Sequence, residues 1–90
     1  MEEKFLAAAA AAQEKAAALG VRIRPITDMK SAHRILTGHR ESDGFYRLAE
    51  LKRLDLSLEA LAVQKQFTSL FTDQEANNSL TRLLDAGYSF

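Results

Sequence analysis

The sequence has no cysteine, no tryptophan, one proline and four glycines in 90 residues. Without cysteine the chain has neither a disulfide framework nor a thiolate metal site, and this usage fits a reducing compartment. No apolar run approaches the roughly 18 residues that a membrane-spanning helix needs, and acidic Glu2 and Glu3 argue against a secretory signal. The sequence therefore predicts a cytoplasmic protein with no membrane partner.

Motifs for catalysis and for cofactor binding are also missing. The chain contains neither of the glycine-rich phosphate loops, GxxxxGK(S/T) and GxGxxG, nor the nucleophile elbow GxSxG. His33 and His39, with Glu41 or Asp43, are residue types that bind metals, but their spacing matches no repeated ligand pattern. We therefore predict a non-catalytic protein with no metal site and no cofactor.

Chain length and composition favour one small helical domain. Ninety residues bury only a modest core, so self-association is expected to add stability. The composition, 47% hydrophobic and 27% charged, is not that of a disordered chain. Apolar spacing predicts an all-α fold, a bundle of four to five helices in a single domain over 1–90, with a short extended connector at about 21–27.

Caps and apolar periodicity place the first two helices. A helix over 2–19 ends before Gly20, and a second helix over 28–37 begins after the candidate N-cap Thr27 and ends before Gly38. Between them lies VRIRPIT, an extended connector in which Pro25 would allow a strand only at a sheet edge. The first helix places five apolar side chains on one face: Phe5, Ala9, Ala12, Ala16 and Leu19.

The final helix has the clearest start signal in the chain. Thr72 and Glu75 have the spacing of a capping box, which predicts a helix over 73–86 that Gly87 closes. Its predicted buried stripe is Ala76, Leu80, Leu83 and Leu84.

The central segment, DGFYRLAELKRLDLSLEALAVQKQFTSLF, covers residues 43–71 and has two apolar faces when placed on a helix. One face is a leucine stripe made of Leu48, Leu51, Leu54, Leu58 and Leu61. The other is made of Phe45, Ala49, Leu56, Val63, Phe67, Leu70 and Phe71. Two interpretations stay open: one bent helix, or helices over 43–55 and 57–71 with Ser57 as the second N-cap.

Binding to another protein, or to a second copy of this chain as a homodimer, is the predicted function. An adaptor or regulatory module would use the alanine helix, or whichever central face the other helices leave uncovered. The candidate partner-binding residues are Phe67, Leu70 and Phe71, with Tyr88 and Phe90 at the end of the chain. The two terminal aromatics can also pack back on the core, and we favour that interpretation.

Nucleic-acid binding is the alternative, because charge is unevenly spread. Residues 21–53 carry eight basic and four acidic side chains, whereas residues 54–90 carry two basic and five acidic ones. The rhythm of LKRLDLSLEALA is typical of a helix-turn-helix, but the acidic stretch at 72–75 does not suit a recognition helix. The candidate anion-binding or nucleic-acid-binding residues are Arg22, Arg24, Lys30, Arg34 and Arg40.

Overall fold

The computed structural model describes residues 1–88 of the chain. Within them are five α-helices, two 3₁₀ helices and no strand, so the predicted all-α fold is confirmed. The α-helices are α1 (Glu2–Ala18), α2 (Met29–Thr37), α3 (Phe45–Glu50), α4 (Leu58–Ala62) and α5 (Asp73–Asp85). The 3₁₀ helices are Leu54–Leu56, before α4, and Lys65–Leu70, after it. No helix in this part of the chain is long and apolar enough to cross a membrane.

Phe5 of α1 lies at the centre of the hydrophobic core and is fully buried. Its ring packs edge-on against Phe67 and Phe71, with ring centroids 5.2 and 5.0 Å apart. The alanines of the predicted face are buried with it, and their small side chains let α1 lie close to α4 and the first 3₁₀ helix. Leu19 is exposed and follows the end of α1, so its predicted place on the buried face is wrong.

Residues 21–28 form the predicted extended connector between α1 and α2. Val21 is buried, and Ile23 and Ile26 pack against the core, so three apolar side chains fix the connector to the domain. Gly44 lies directly beneath it, because a Cβ atom at Gly44 would stand 2.7 Å from Val21 Cγ1. The positive φ of 73° at Gly44 also favours glycine there.

The predicted N-cap of α2, Thr27, is wrong, because the helix is capped by the next residue, Asp28. Asp28 Oδ1 accepts a hydrogen bond of 2.8 Å from the Ser31 backbone N–H. This hydrogen bond favours the carboxylate and lowers the pKa of Asp28. At the other end of α2, the helix ends before Gly38, as predicted, and Gly38 is the C-cap in an extended conformation, with φ of −72° and ψ of 178°.

The central segment contains more breaks than either interpretation allowed. Helix α3 ends at Glu50, and Lys52 then adopts a positive φ of 58°, which turns the chain before the first 3₁₀ helix. A second break follows Val63, where Gln64 is extended and precedes the second 3₁₀ helix. Ser57 does cap α4, as predicted, and accepts from the Ala60 N–H at 3.1 Å. The segment is therefore four short helices.

Helix α5 begins with the predicted capping box. Thr72 Oγ1 accepts from the Glu75 N–H at 3.1 Å, and Glu75 Oε1 accepts from the Thr72 N–H at 2.8 Å. The inward face is more polar than predicted, because Glu75 and Ser79 are buried beside Leu83. Leu84 is 60% exposed, so its predicted burial is wrong. After Gly87, Tyr88 packs back against the core, whereas Phe90 lies outside the described residues.

Truncating Phe67 tests its place in the core. Phe67 is 2% exposed, and we expect Phe67→Ala to lower the free energy of unfolding by about 3–5 kcal/mol through lost burial and a residual cavity. The exposed Leu84 supplies the control, since Leu84→Ala should change it by less than about 0.5 kcal/mol. Urea denaturation of both variants makes the comparison, and equal losses would contradict the assignment of Phe67 to the core.

Candidate protein-binding surface

Within residues 1–88, the predicted partner-binding residues do not form an exposed surface. Phe67 and Phe71 are core residues in contact with Phe5, and Leu70 and Tyr88 pack against the same core from its edge. The prediction required the aromatic side chains of the central segment to stay partly exposed, and Phe67 and Phe71 do not meet that condition. The exposed part of this segment is elsewhere.

Helix α3 exposes one complete face to solvent. Tyr46 is 64% exposed and Leu51, which follows the last residue of the helix, is 37% exposed. Between them Arg47 Nη1 donates to Glu50 Oε2 at 3.1 Å. The preceding loop adds Arg40 and Glu41, which line an open depression with Tyr46 and Arg47. We call this group the α3 surface; its members are Arg40, Glu41, Tyr46, Arg47, Glu50 and Leu51.

The loop that leads into α3 is fixed by a buried carboxylate. Glu59 of α4 is fully buried. Its two carboxylate oxygens accept from the Ser42 backbone N–H at 2.8 Å and from the Ser42 hydroxyl at 2.5 Å. Because this carboxylate has no contact with solvent, these bonds replace the water it lost on folding. They hold the C-terminal part of loop 38–44 against the core.

Arg82 of α5 completes the same network. Its Nη1 lies 3.2 Å from Glu59 Oε2, in an ion pair whose side chains are 9% and 0% exposed. The guanidinium also donates to the carbonyl oxygens of Gly38 at 2.7 Å and Ile35 at 3.4 Å. Asn78, one turn earlier, donates to the Leu36 carbonyl at 2.9 Å. Arg82 and Asn78 thus satisfy carbonyls at the C-terminal end of α2, and loop 38–44 is fixed at both ends.

Tyr46 has an acidic neighbour in the loop. The Glu41 carboxylate, which favours the neutral phenol, is the main cause that raises the pKa of Tyr46, followed by desolvation and by the negative charge of Asp85. The ring also packs edge-on against Phe45, with centroids 5.7 Å apart. This ring contact restricts an exposed aromatic side chain, which lowers the entropy cost of contacting a partner.

His33 forms a separate contact between α2 and α5. Its Nδ1 lies 2.6 Å from Oε2 of the buried Glu75, and its ring packs against Phe71 with centroids 5.4 Å apart. Glu75 thereby joins the capping box to α2. Among the residues that the structure describes, no group of three or more histidine or acidic side chains is placed to hold a metal ion.

The predicted basic residues are exposed but divided between sites. Arg24 and Arg34 line one cleft, while Arg40 belongs to the α3 surface. Arg22 and Lys30 are exposed outside both. Arg24 has Asp43 beside it, and Asp28 lies near Lys30 and Arg34. Acidic neighbours therefore offset part of the positive charge of this segment.

Comparison with known proteins gives no match to any family model, curated protein or solved structure. Sequence reasoning missed the α3 surface, although one signal pointed to it: Tyr46 is the aromatic residue of the central segment that falls on neither predicted apolar face.

A double-mutant cycle tests the buried network. Removing one partner leaves a buried charge unpaired, so we expect Glu59→Gln and Arg82→Met each to lower the free energy of unfolding by about 3–5 kcal/mol. The double variant should lose about 0.5–3 kcal/mol less than the sum of the two single losses, because the two side chains contact each other directly. Denaturant titrations of the four proteins make the measurement. Strictly additive losses would mean that the two side chains do not interact.

The contact between Tyr46 and Glu41 is tested by titrating the phenol. In a Tyr88→Phe background, which leaves Tyr46 as the remaining tyrosine, the absorbance of the phenolate should give a pKa above 10.0. Glu41→Gln should bring that pKa back toward about 10, because the negative charge that disfavours the phenolate is gone. The same midpoint with and without Glu41 would show that this carboxylate does not reach Tyr46.

Proposed function

We propose that this chain is a non-catalytic protein-interaction module that self-associates through the α3 surface. The observation that carries the proposal is the exposure of Tyr46 and Arg47 on the six-residue helix α3, with the exposed Leu51 directly after its last residue. Tyrosine and arginine are the residue types that most often supply binding energy at protein interfaces. A cytoplasmic location stays a prediction from the sequence.

Preorganisation supports this choice of surface. Loop 38–44 is held by Arg82 at Gly38 and by Glu59 at Ser42. Arg40 and Glu41 lie between these two points, so their backbone gives up little freedom when a partner binds. Immobilising a flexible loop would otherwise weaken the interface.

The arrangement of charge favours a second copy of this chain as the partner. The α3 surface carries Arg40 beside Glu41 and Arg47 beside Glu50, so both signs lie close together. A twofold-symmetric interface brings the same patch from both subunits together and must therefore be complementary to itself. A patch with adjacent arginines and glutamates meets this requirement, because each arginine can face a glutamate of the partner subunit.

The proposal is tested by sedimentation equilibrium of the purified chain. The wild-type protein should show a concentration-dependent dimer, and Tyr46→Ala should raise its dissociation constant about 30-fold or more, as a loss of about 2 kcal/mol or more at a hot spot implies. Leu84→Ala is the matched control, since Leu84 and Tyr46 are 60% and 64% exposed. The control should dimerise like the wild type.

Two outcomes would contradict this assignment. A wild-type chain that stays monomeric up to a concentration of about 1 mM would refute self-association at any useful affinity. A dimer that Leu84→Ala weakens as much as Tyr46→Ala does would place the interface elsewhere. Circular dichroism of each variant separates loss of binding from loss of fold.

The nucleic-acid alternative has weaker support. Affinity for nucleic acid rises with the number of phosphates that basic side chains neutralise together. The five predicted residues are instead divided, and Arg24 and Arg34 alone among them line a common cleft. Binding to nucleic acid through residues 21–53 stays a prediction.

A further inference from the structure

A second surface feature lies on the other side of loop 38–44. The connector and α2 form an open cleft of about 360 Å³. Its lining includes the apolar residues Pro25, Ile26 and Ile35 and the charged residues Arg24, Arg34 and Asp43. The two arginines are ten residues apart in the sequence and belong to different elements, and both line this cleft.

The donors of these two arginines are largely unused within residues 1–88. The Arg24 side chain is 92% exposed, and its Nε lies 3.7 Å from Asp43 Oδ2, beyond hydrogen-bond distance. Arg34 Nη2 donates to Ser31 Oγ at 3.5 Å, which is a weak contact. By contrast, Arg53 makes two bonds to Asp55, at 3.1 and 3.3 Å.

The charge of the cleft is suited to a single negative group. Two arginines and Asp43 leave one net positive charge among the lining side chains. Asp28 is near both Arg34 and Lys30, and its negative charge offsets the positive charge of Lys30. Asp43 Oδ2 also accepts from the Arg24 backbone N–H at 3.3 Å, which fixes the backbone at this edge of the cleft.

We propose that this cleft binds an acidic peptide segment, with one carboxylate held between Arg24 and Arg34 and a neighbouring apolar side chain resting on Ile26 and Ile35. Guanidinium groups pair with carboxylates through parallel hydrogen bonds, and the apolar lining residues give an adjacent aliphatic side chain a place to pack. A peptide suits the cleft better than nucleic acid, because two arginines with one aspartate neutralise a single charge and Arg22, Lys30 and Arg40 lie outside the cleft.

This inference is independent of the α3 surface. The dimerisation assay can fail while the cleft binds its peptide, and the reverse also holds. The α3 surface is built on α3 and the loop before it, whereas the cleft is built mainly on the connector and α2.

The test is a nuclear magnetic resonance titration of the uniformly ¹⁵N-labelled full chain. The probes are acetyl-Leu-Glu-Leu-amide and the neutral acetyl-Leu-Gln-Leu-amide, added separately at low salt because exposed ion pairs are screened. The first probe should produce saturable shifts at the amides of Ile26, Ser31 and Ile35 and at the side-chain Nε groups of Arg24 and Arg34. The neutral probe should bind about threefold to tenfold more weakly, as expected for exposed charge pairs.

Variants identify the side chains responsible. Arg24→Gln combined with Arg34→Gln should weaken binding of the acidic peptide to the level of the neutral one. Arg22→Gln is the matched control, because Arg22 is an exposed arginine of the same connector that does not line the cleft. All three substitutions are at the surface, so the helical circular dichroism spectrum should be unchanged.

Four results would overturn the proposal. These are the absence of saturable shifts, equal affinity for the two peptides, an equal effect of Arg22→Gln, and saturation of the same amides by random duplex DNA but not by the acidic peptide. The last result would move the cleft to nucleic-acid binding.

Discussion

The fully buried carboxylate of Glu59 is the constraint on which the arrangement of the surface depends. A buried carboxylate must be matched by donors, and Ser42 and Arg82 supply them. The same guanidinium binds carbonyl groups at the end of α2, so one ion pair connects α2, α4 and α5 with loop 38–44. The start of α3 follows directly from where that loop is held.

Local signals were sufficient for much of the fold. Thr72 with Glu75 and Ser57 were correctly identified as helix starts, because a cap depends on a few neighbouring residues. The breaks in the central segment had no such signal. The chain turns at Lys52 with positive φ, where the sequence has neither glycine nor asparagine, and at Gln64, which has no special backbone preference. There the packing of distant residues outweighed the helical pattern.

The candidate site was harder to predict than the fold, because it depends on contacts between residues that are distant in the sequence. Glu59 lies in the first turn of α4, where acidic residues are favoured by the helix dipole, so its position in the sequence gives no sign of burial. Its burial depends on Ser42, 17 residues earlier, and on Arg82, 23 residues later. No periodicity connects residues at such separations. The apolar pattern did not identify Tyr46, because such a pattern selects side chains that face the core. Protein interfaces, in contrast, often use large side chains that face solvent.

Loop 38–44 also separates the two proposed binding sites. Glu41 belongs to the α3 surface and Asp43 to the Arg24–Arg34 cleft. Between them Ser42 is bonded twice to Glu59. Coupling between sites requires an element with two arrangements that each ligand biases differently. A residue anchored to a buried carboxylate does not offer a second arrangement at low cost. We therefore expect a dimer partner and an acidic peptide to bind this domain independently, so that each copy in a dimer keeps its own cleft.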